Sequence, residues 1–372
     1  MNFMLCLQEI LHKKSGGNLR TLKKTIRLYS KGIRMATTSV SDVQVKLADV
    51  QSALDRIAPY INSTPVMTSH TLDKMAGRSL FFKCENLQKA GAFKFRGAMN
   101  AVLRLVESSD DPSGSKSQAP CVVTHSSGNH AQALSLAAKL MNLKAHIVMP
   151  KNAPHVKKAA VIEYGANIVE CEISQKDREE TAARVLQETG PNSYLVPPYD
   201  HPHIIAGQGT MALELLQDVP DVDAIVVPVG GGGMLSGVCI AAKGIKPSIQ
   251  IYAAEPLNAD DCAKSFAAKK WIPLSGPPNT IADGLKTSLG HLTWPIIRDS
   301  VADVITVTEE EIITAMRLVW ERMKLVIEPS AAVGVAAVLS ERFKDVSSGK
   351  LPKVAVILCG GNVSLDKLPW NK

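Results

Sequence analysis

The chain has 372 residues, 45% of them hydrophobic, and a formal net charge of +7. That is material for one large buried core or two moderate ones, and no apolar run approaches the roughly 20 residues a membrane helix needs. The charge invites a nucleic-acid reading, but residues 1–35 hold eight Lys or Arg against one Glu, so the rest of the chain balances to zero, and that distribution argues against it.

Within that basic extension Leu19, Leu22, Ile26, Tyr29 and Ile33 recur at helical spacing, which fits an acid-poor targeting segment for a mitochondrion or plastid. Translation starting at Met35 fits as well and gives a cytoplasmic protein. The seven cysteines are odd in number and show no paired metal spacing, so reduced thiols are expected.

Lys94 comes next, in GAFKFRGAMN, with no acidic neighbour to hold it as a surface ion pair. A buried ammonium loses hydration, its pKa falls, and the neutral amine can attack a carbonyl to form a Schiff base. Alone, the pattern equally describes a snorkelling surface lysine. The polar stretch SSDDPSGSKSQ at 108–118 reads as a solvated connection. After it, the apolar run 121–123 leads into THSSGNHAQALSLAAKL, which predicts strand, tight polar turn and helix. The backbone N–H groups of Ser126, Ser127, Gly128, Asn129 and His130 would then sit at a helix N-terminus, able to bind an anion. A plain Ser or Asn cap is the bland alternative.

The run AIVVPV at 224–229 meets Gly230, Gly231, Gly232 and Gly233, where glycine lets the backbone approach an anion and form a phosphate cup. A dinucleotide site is the rival, but no clear ribose-binding acid follows the next strand. KVAVILCGGN ends a strand at Cys359 and two glycines, where a small polar side chain could meet a ring nitrogen or simply mark a turn. CVVTH, AHIVMP, ANIVECE, AIVVPV, IQIYAAE and VAVILC alternate with helical stretches, which predicts an α/β fold of parallel sheets covered by helices on both faces.

A Schiff-base lysine, an anion-binding turn, a phosphate cup and a polar strand end, in this order, resemble the fold type II family of pyridoxal phosphate enzymes. Phrases such as LFFKCENLQKAGAFKFRGA, YAAEPLNADDC and MKLVIEPSAAVGVAAVLS are similar to its serine racemases, and the likeness runs from about residue 45 to 366. The resemblance implies a tryptophan synthase β-like pair of α/β domains: a large one of residues 36–120 and 198–372, a small mobile one of 121–197, and the cofactor pyridoxal 5'-phosphate in the cleft. It implies a homodimer that acts on serine or threonine, with no nucleic-acid or membrane partner.

Residue roles carry over in the same way. Lys94 would anchor the cofactor and serve one face of the substrate Cα, with Phe93 packed beside the ring. Asn129 would bind the ring hydroxyl, and the four glycines with Met234 the phosphate. Ser126, Ser127, Gly128, Asn129 and His130 would grip the substrate carboxylate, and Arg178 would close on it unless it is only a solvated charge. Ser127 stands where the racemases place the second base, whereas many dehydratases carry alanine there. Elimination of serine to pyruvate and ammonia is expected beside racemisation, and a threonine or serine dehydratase with little racemase activity is the alternative. The end of the chain at Lys372 argues against the biosynthetic threonine deaminases, which carry a regulatory domain there.

Two departures qualify the match: Cys359 replaces a serine opposite the ring nitrogen, and Tyr199 replaces an asparagine of the mammalian enzymes. The family also implies Mg²⁺ or Ca²⁺ on Glu255, Asp261 and the carbonyl of Ala259, hard oxygen ligands on a short loop. ATP as an allosteric activator is implied by Lys89, Gln132, Tyr164 and Asn362, although Ala90 and His70 replace hydroxyl residues. A pyridoxal phosphate carrier without turnover, or a nicotinamide dehydrogenase, is the contrasting class.

Overall fold

Ten strands among the described residues fall into two sheets. The structure is a computed structural model and describes residues 44–109, 120–153, 155–347 and 350–371. The basic extension with Met35 and most of the 108–118 connection lie outside them. The strands are β1 (Val66–Met67), β2 (Ser79–Lys83), β3 (Cys121–His125), β4 (Lys144–Pro150), β5 (Asn167–Cys171), β6 (Ser193–Leu195), β7 (Ala224–Pro228), β8 (Gln250–Pro256), β9 (Asp303–Val307) and β10 (Lys353–Ile357). One sheet has the order β1-β2-β10-β7-β8-β9 and the other β5-β4-β3-β6.

Every pairing of these strands is parallel except β1 with β2. Parallel strands need crossovers and are covered on both faces, so their sequences become continuous apolar runs. In β7 all five residues are buried. Parallel register also gathers the strand ends at one edge. β10 pairs with β7 (Val354 opposite Ala224) and with β2 (Ile357 opposite Lys83), so the loops carrying Cys359, the glycines and residue 84 onward emerge side by side. Open α/β sheets bind ligands at this carboxyl edge.

The helix Lys94–Ser109 connects the two sheets. Phe95, Ala98, Met99 and Val102 recur at helical spacing and share one buried cluster with Ala131 and Leu134 of the helix Asn129–Leu140 and with Val122 and Ile147 of the smaller sheet. Its other side meets the helix Pro202–Asp218 at backbone distance: a Cβ on Gly207 would lie 2.6 Å from the Cα of Gly97. No helix among the described residues is long and apolar enough to cross a membrane. The six described cysteines are buried free thiols.

Candidate active site

Lys94 is the first residue of its helix, so its side chain leaves from the helix end. The preceding residues are tied to the chain after β10: the Phe93 N–H donates to the Cys359 carbonyl at 3.0 Å, and Ala92 bridges Gly360. Lys94 Nζ donates to the Pro198 carbonyl at 2.7 Å. Burial pushes its amine down to about 8, although the charges of Cys359 and Glu328 pull the other way. A snorkelling lysine would show no such shift. Cys359 is buried, and burial followed by the charge of Glu328 holds its thiol well above the ordinary value, hence neutral.

The SSGNH turn follows β3. Ser126 N–H donates to the Val148 carbonyl at 3.2 Å, and Gly128, not Ser or Asn, is the N-cap of the helix Asn129–Leu140. No side chain caps that helix, but the Gly128 N–H donates to Ser126 Oγ at 3.4 Å and the Ala131 N–H to the Gly128 carbonyl at 3.1 Å. With the Ser126 N–H taken by Val148, those of Ser127, Asn129 and His130 are left for another acceptor, out of the five N–H groups expected to bind an anion. Ser127 lies half-buried beside the cap. Asn129 Nδ2 donates to both oxygens of Glu328, at 2.8 and 3.1 Å, while its Oδ1 accepts from Asn362 Nδ2 at 3.0 Å. The amide is therefore fixed in orientation from both ends. Burial, then the charge of Asp283, pushes the Glu328 carboxyl up to about 8. His130 Nε2 faces the Val196 carbonyl at 3.0 Å and its buried Nδ1 has no protein partner. Burial and the Lys94 charge push this imidazole down to about 3, so it is neutral, with its proton assigned to Nε2 by the carbonyl it faces.

Arg178 lies on the helix Gln175–Thr189 with a buried Nε that has no protein partner, and its charge acts on His125 at the end of β3. That is an inward side chain, against the reading of a solvated charge.

In the loop after β7, Gly232 adopts φ +88°, a conformation that side chains disfavour. A Cβ on Gly231 would lie 2.3 Å from the ring of Tyr199, and one on Gly233 2.8 Å from the Tyr199 carbonyl. The helix Gly233–Ile245, with Met234 buried in its first turn, also begins without a side-chain cap. An uncapped helix N-terminus behind a loop with no room for side chains suits a phosphate. Together with the depressed amine and the neutral thiol, this donor set fits pyridoxal 5'-phosphate.

Glu255 lies next to the end of β8, and Asp261 opens the helix Asp261–Ala268, with Ala259 in the turn between. Both acids are buried. Glu255 accepts from the N–H groups of Cys262 at 3.0 Å and Ala263 at 2.9 Å, and Asp261 from Leu289 at 2.9 Å. Burial, then the Asp261 charge, pushes Glu255 well above the carboxylate range, and burial with the Asp260 charge pushes Asp261 up to about 6. Such a pair gains from a cation. Asp261 borders a cavity of about 470 Å³ that would admit one. No cluster of three or more His, Cys, Asp or Glu is placed to hold a metal among the described residues, so the set rests on two carboxylates and a carbonyl.

Of the nucleotide set, Asn362 joins the site directly, donating to Asn129 and, at 2.8 Å, to the Ala90 carbonyl. Lys89 lies 6.0 Å over the Phe95 ring, Gln132 is buried in the Asn129 helix, Tyr164 is half-buried and His70 is exposed. Glu328 and Pro198 were not singled out by the sequence reading. A lone acid in VIEPSAAVG, flanked by apolar and small residues, was the available signal for Glu328. A backbone carbonyl leaves none.

Residues 57–360 match the family model described as pyridoxal-phosphate dependent enzyme. The chain is 54% identical to a serine racemase of Homo sapiens over 329 residues, covering 88% of this chain and 94% of that protein. The structure of maize serine racemase superposes with a TM-score of 0.82 at 49% identity, covering 87% and 95% of the two chains. A threonine deaminase from T.th. superposes with a TM-score of 0.77 at 40% identity, covering 86% of this chain and 99% of the other.

Proposed function

The chain belongs to the pyridoxal-phosphate dependent enzymes, and from that premise we propose that it interconverts L- and D-serine and also converts serine to pyruvate and ammonia. When bound, pyridoxal 5'-phosphate withdraws electrons from the substrate Cα, which makes its proton removable and its β-hydroxyl expellable. The protein positions the groups that move that proton. Lys94, whose amine is half-deprotonated near pH 8, anchors the cofactor and takes or returns the proton on one face. Ser127 serves the opposite face, since a single base returns a proton only to the side it came from. The uncapped turn of Ser126, Ser127, Gly128, Asn129 and His130 holds the substrate carboxylate, with Arg178 closing over it. Phe93 and the oriented Asn129 would hold the ring, the neutral thiol of Cys359 would be available to its nitrogen, and Gly230, Gly231, Gly232, Gly233 and Met234 would hold the phosphate.

The observation that carries this reading is the depressed amine of Lys94, bonded to the Pro198 carbonyl next to the Tyr199 that packs on a glycine loop with no room for side chains. We extend the proposal to a cation at Glu255, Ala259 and Asp261, to a homodimer, to a nucleotide near Lys89, Gln132, Tyr164 and Asn362, and to the cytoplasm unless residues 1–35 direct the chain to an organelle. A dehydratase with little racemisation is the second reading, favoured by the likeness to a threonine deaminase.

A chiral amino-acid assay run beside a keto-acid assay separates the two. Parent enzyme given L-serine should form D-serine and pyruvate. Lys94→Ala should form neither and should lose the long-wavelength absorbance of the covalently held cofactor. A Lys94→Ala protein with normal turnover would refute the assignment.

A further inference from the structure

Two residues beyond Lys94, the helix buries a second cation that the proposed chemistry does not use. Arg96 is completely buried. Its Nε and Nη2 donate to Glu85 at 2.8 and 2.9 Å, and its Nη1 and Nη2 donate to Glu214 at 2.7 and 2.8 Å. Nη1 also reaches the Thr210 hydroxyl at 3.2 Å. Lys83 completes the cluster, 2.8 Å from Glu214 and donating to the Thr64 carbonyl at 2.6 Å. The fork of one guanidinium thus grips carboxylates from two separate parts of the chain, the turn after β2 and the helix Pro202–Asp218.

Buried ion clusters of this kind are poor evidence for stability, because apolar side chains of similar volume often serve as well. What they supply is geometry. At about 100° per residue, positions 94 and 96 lie roughly 200° apart around the helix, on nearly opposite sides. Clamping the guanidinium on one side therefore fixes the roll of the first turn, and with it the direction in which Lys94 leaves. A first turn is where a helix frays most. Here its N–H groups are also satisfied: Phe95 bonds to the Ala92 carbonyl, Arg96 to the Phe93 carbonyl, and Gly97 to Gln208 Oε1 at 3.1 Å. Glu85 is engaged by Arg96 and the Thr64 hydroxyl, and Glu214 by Arg96 and Lys83, while Lys94 bonds the Pro198 carbonyl.

We infer that the Lys83–Glu214–Arg96–Glu85 cluster is a positioning device that sets the roll of the first helical turn and so aims the Lys94 amine at the cofactor. Arg96 is its central residue and touches neither substrate nor cofactor. The inference rests on the reading of Lys94 as the cofactor anchor.

The test uses the full chain with Arg96→Lys, which keeps the charge and loses the fork, and Thr210→Val, which removes the Arg96 bond and the hydroxyl's own bond to the Gly207 carbonyl at 2.7 Å but no charge. Thermal unfolding reports whether each variant folds. The decisive readouts are the rate at which cofactor-free protein captures pyridoxal phosphate and the circular dichroism of the captured cofactor, which follows its orientation. A folded Arg96→Lys should capture the cofactor roughly 10- to 100-fold more slowly, as a small misplacement of a reacting group does, with weakened dichroism and a kcat that falls more than KM rises. Thr210→Val should move the same readouts in the same direction by a smaller factor. Parent-like capture and dichroism in folded Arg96→Lys would overturn the inference. Should Arg96→Lys not fold, parent-like values in Thr210→Val would overturn it equally. If the parent itself captures no cofactor, it is the functional reading that fails.

Discussion

At the scale of single residues, the balance between isomerisation and elimination turns on Ser127. Its hydroxyl lies beside a glycine N-cap, at a helix start with no side-chain cap, where the local field favours negative charge. If Lys94 and Ser127 serve opposite faces of Cα, Ser127→Ala should lower L-to-D conversion by something like the 10² to 10⁴ that a positioned acid or base contributes. Pyruvate formation from L-serine needs only the Lys94 face and should survive, whereas pyruvate from D-serine should fall with racemisation. Enantiomer-resolved assays of both substrates check this, and undiminished racemisation would move the dehydratase reading ahead. The role of Ser127 is what the family resemblance implies, whereas Lys94 and the glycine run were picked out by residue type and spacing. Lys94 stands out between apolar neighbours, and the glycine run has few uses other than close approach. Glu328 was not legible: its effect depends on meeting Asn129 from a distant helix, and only the fold brings the two together.

At the scale of elements, the turn between β8 and the helix Asp261–Ala268 places two acids where burial raises both. The sign of the resulting pH dependence follows from linkage. A carboxyl whose folded pKa is raised contributes stability below its unfolded pKa, and this is lost as pH rises through the folded value. The metal-free protein should therefore lose stability as pH climbs from the carboxylate range through about 6, the value to which Asp261 is raised. A cation favours the ionised pair and removes that loss. Mg²⁺ or Ca²⁺ should thus raise the Tm of chelator-treated protein more at neutral pH than at pH near 4, by an amount equivalent to about 2.7 kcal/mol at a hundred times Kd. Glu255→Gln should blunt the response. Indistinguishable melting with chelator and with metal would leave the turn a purely structural device. The strands on either side show why some elements were readable and others not. β7 and β10 are buried apolar runs and were read from sequence within two residues. β1 and β6, at two and three residues, are too short to carry any periodicity and exist only because β2 and β3 offer an edge to pair with.

At the scale of the whole molecule, charge is divided unevenly along the sequence. Residues 1–35 carry the entire net +7, while the part that matches the family model, 57–360, lies in the segment whose charges cancel. The family match does not include that segment, and surface fields act only over about a Debye length, near 8 Å at physiological ionic strength, so the chemistry should not depend on it. Removing residues 1–34 should accordingly leave kcat, KM and the racemase-to-elimination ratio at parent values. Cation-exchange retention should drop, because the remaining chain is neutral overall. A changed ratio or KM would mean that the segment reaches the active site or an assembly interface. The same residues fused to a fluorescent reporter separate the two origins of that charge. Import into a mitochondrion or plastid, followed by cleavage, would make it a targeting signal. A diffuse reporter would favour Met35 as the working start, since an acid-poor amphipathic segment read by an import receptor is concentrated in one compartment.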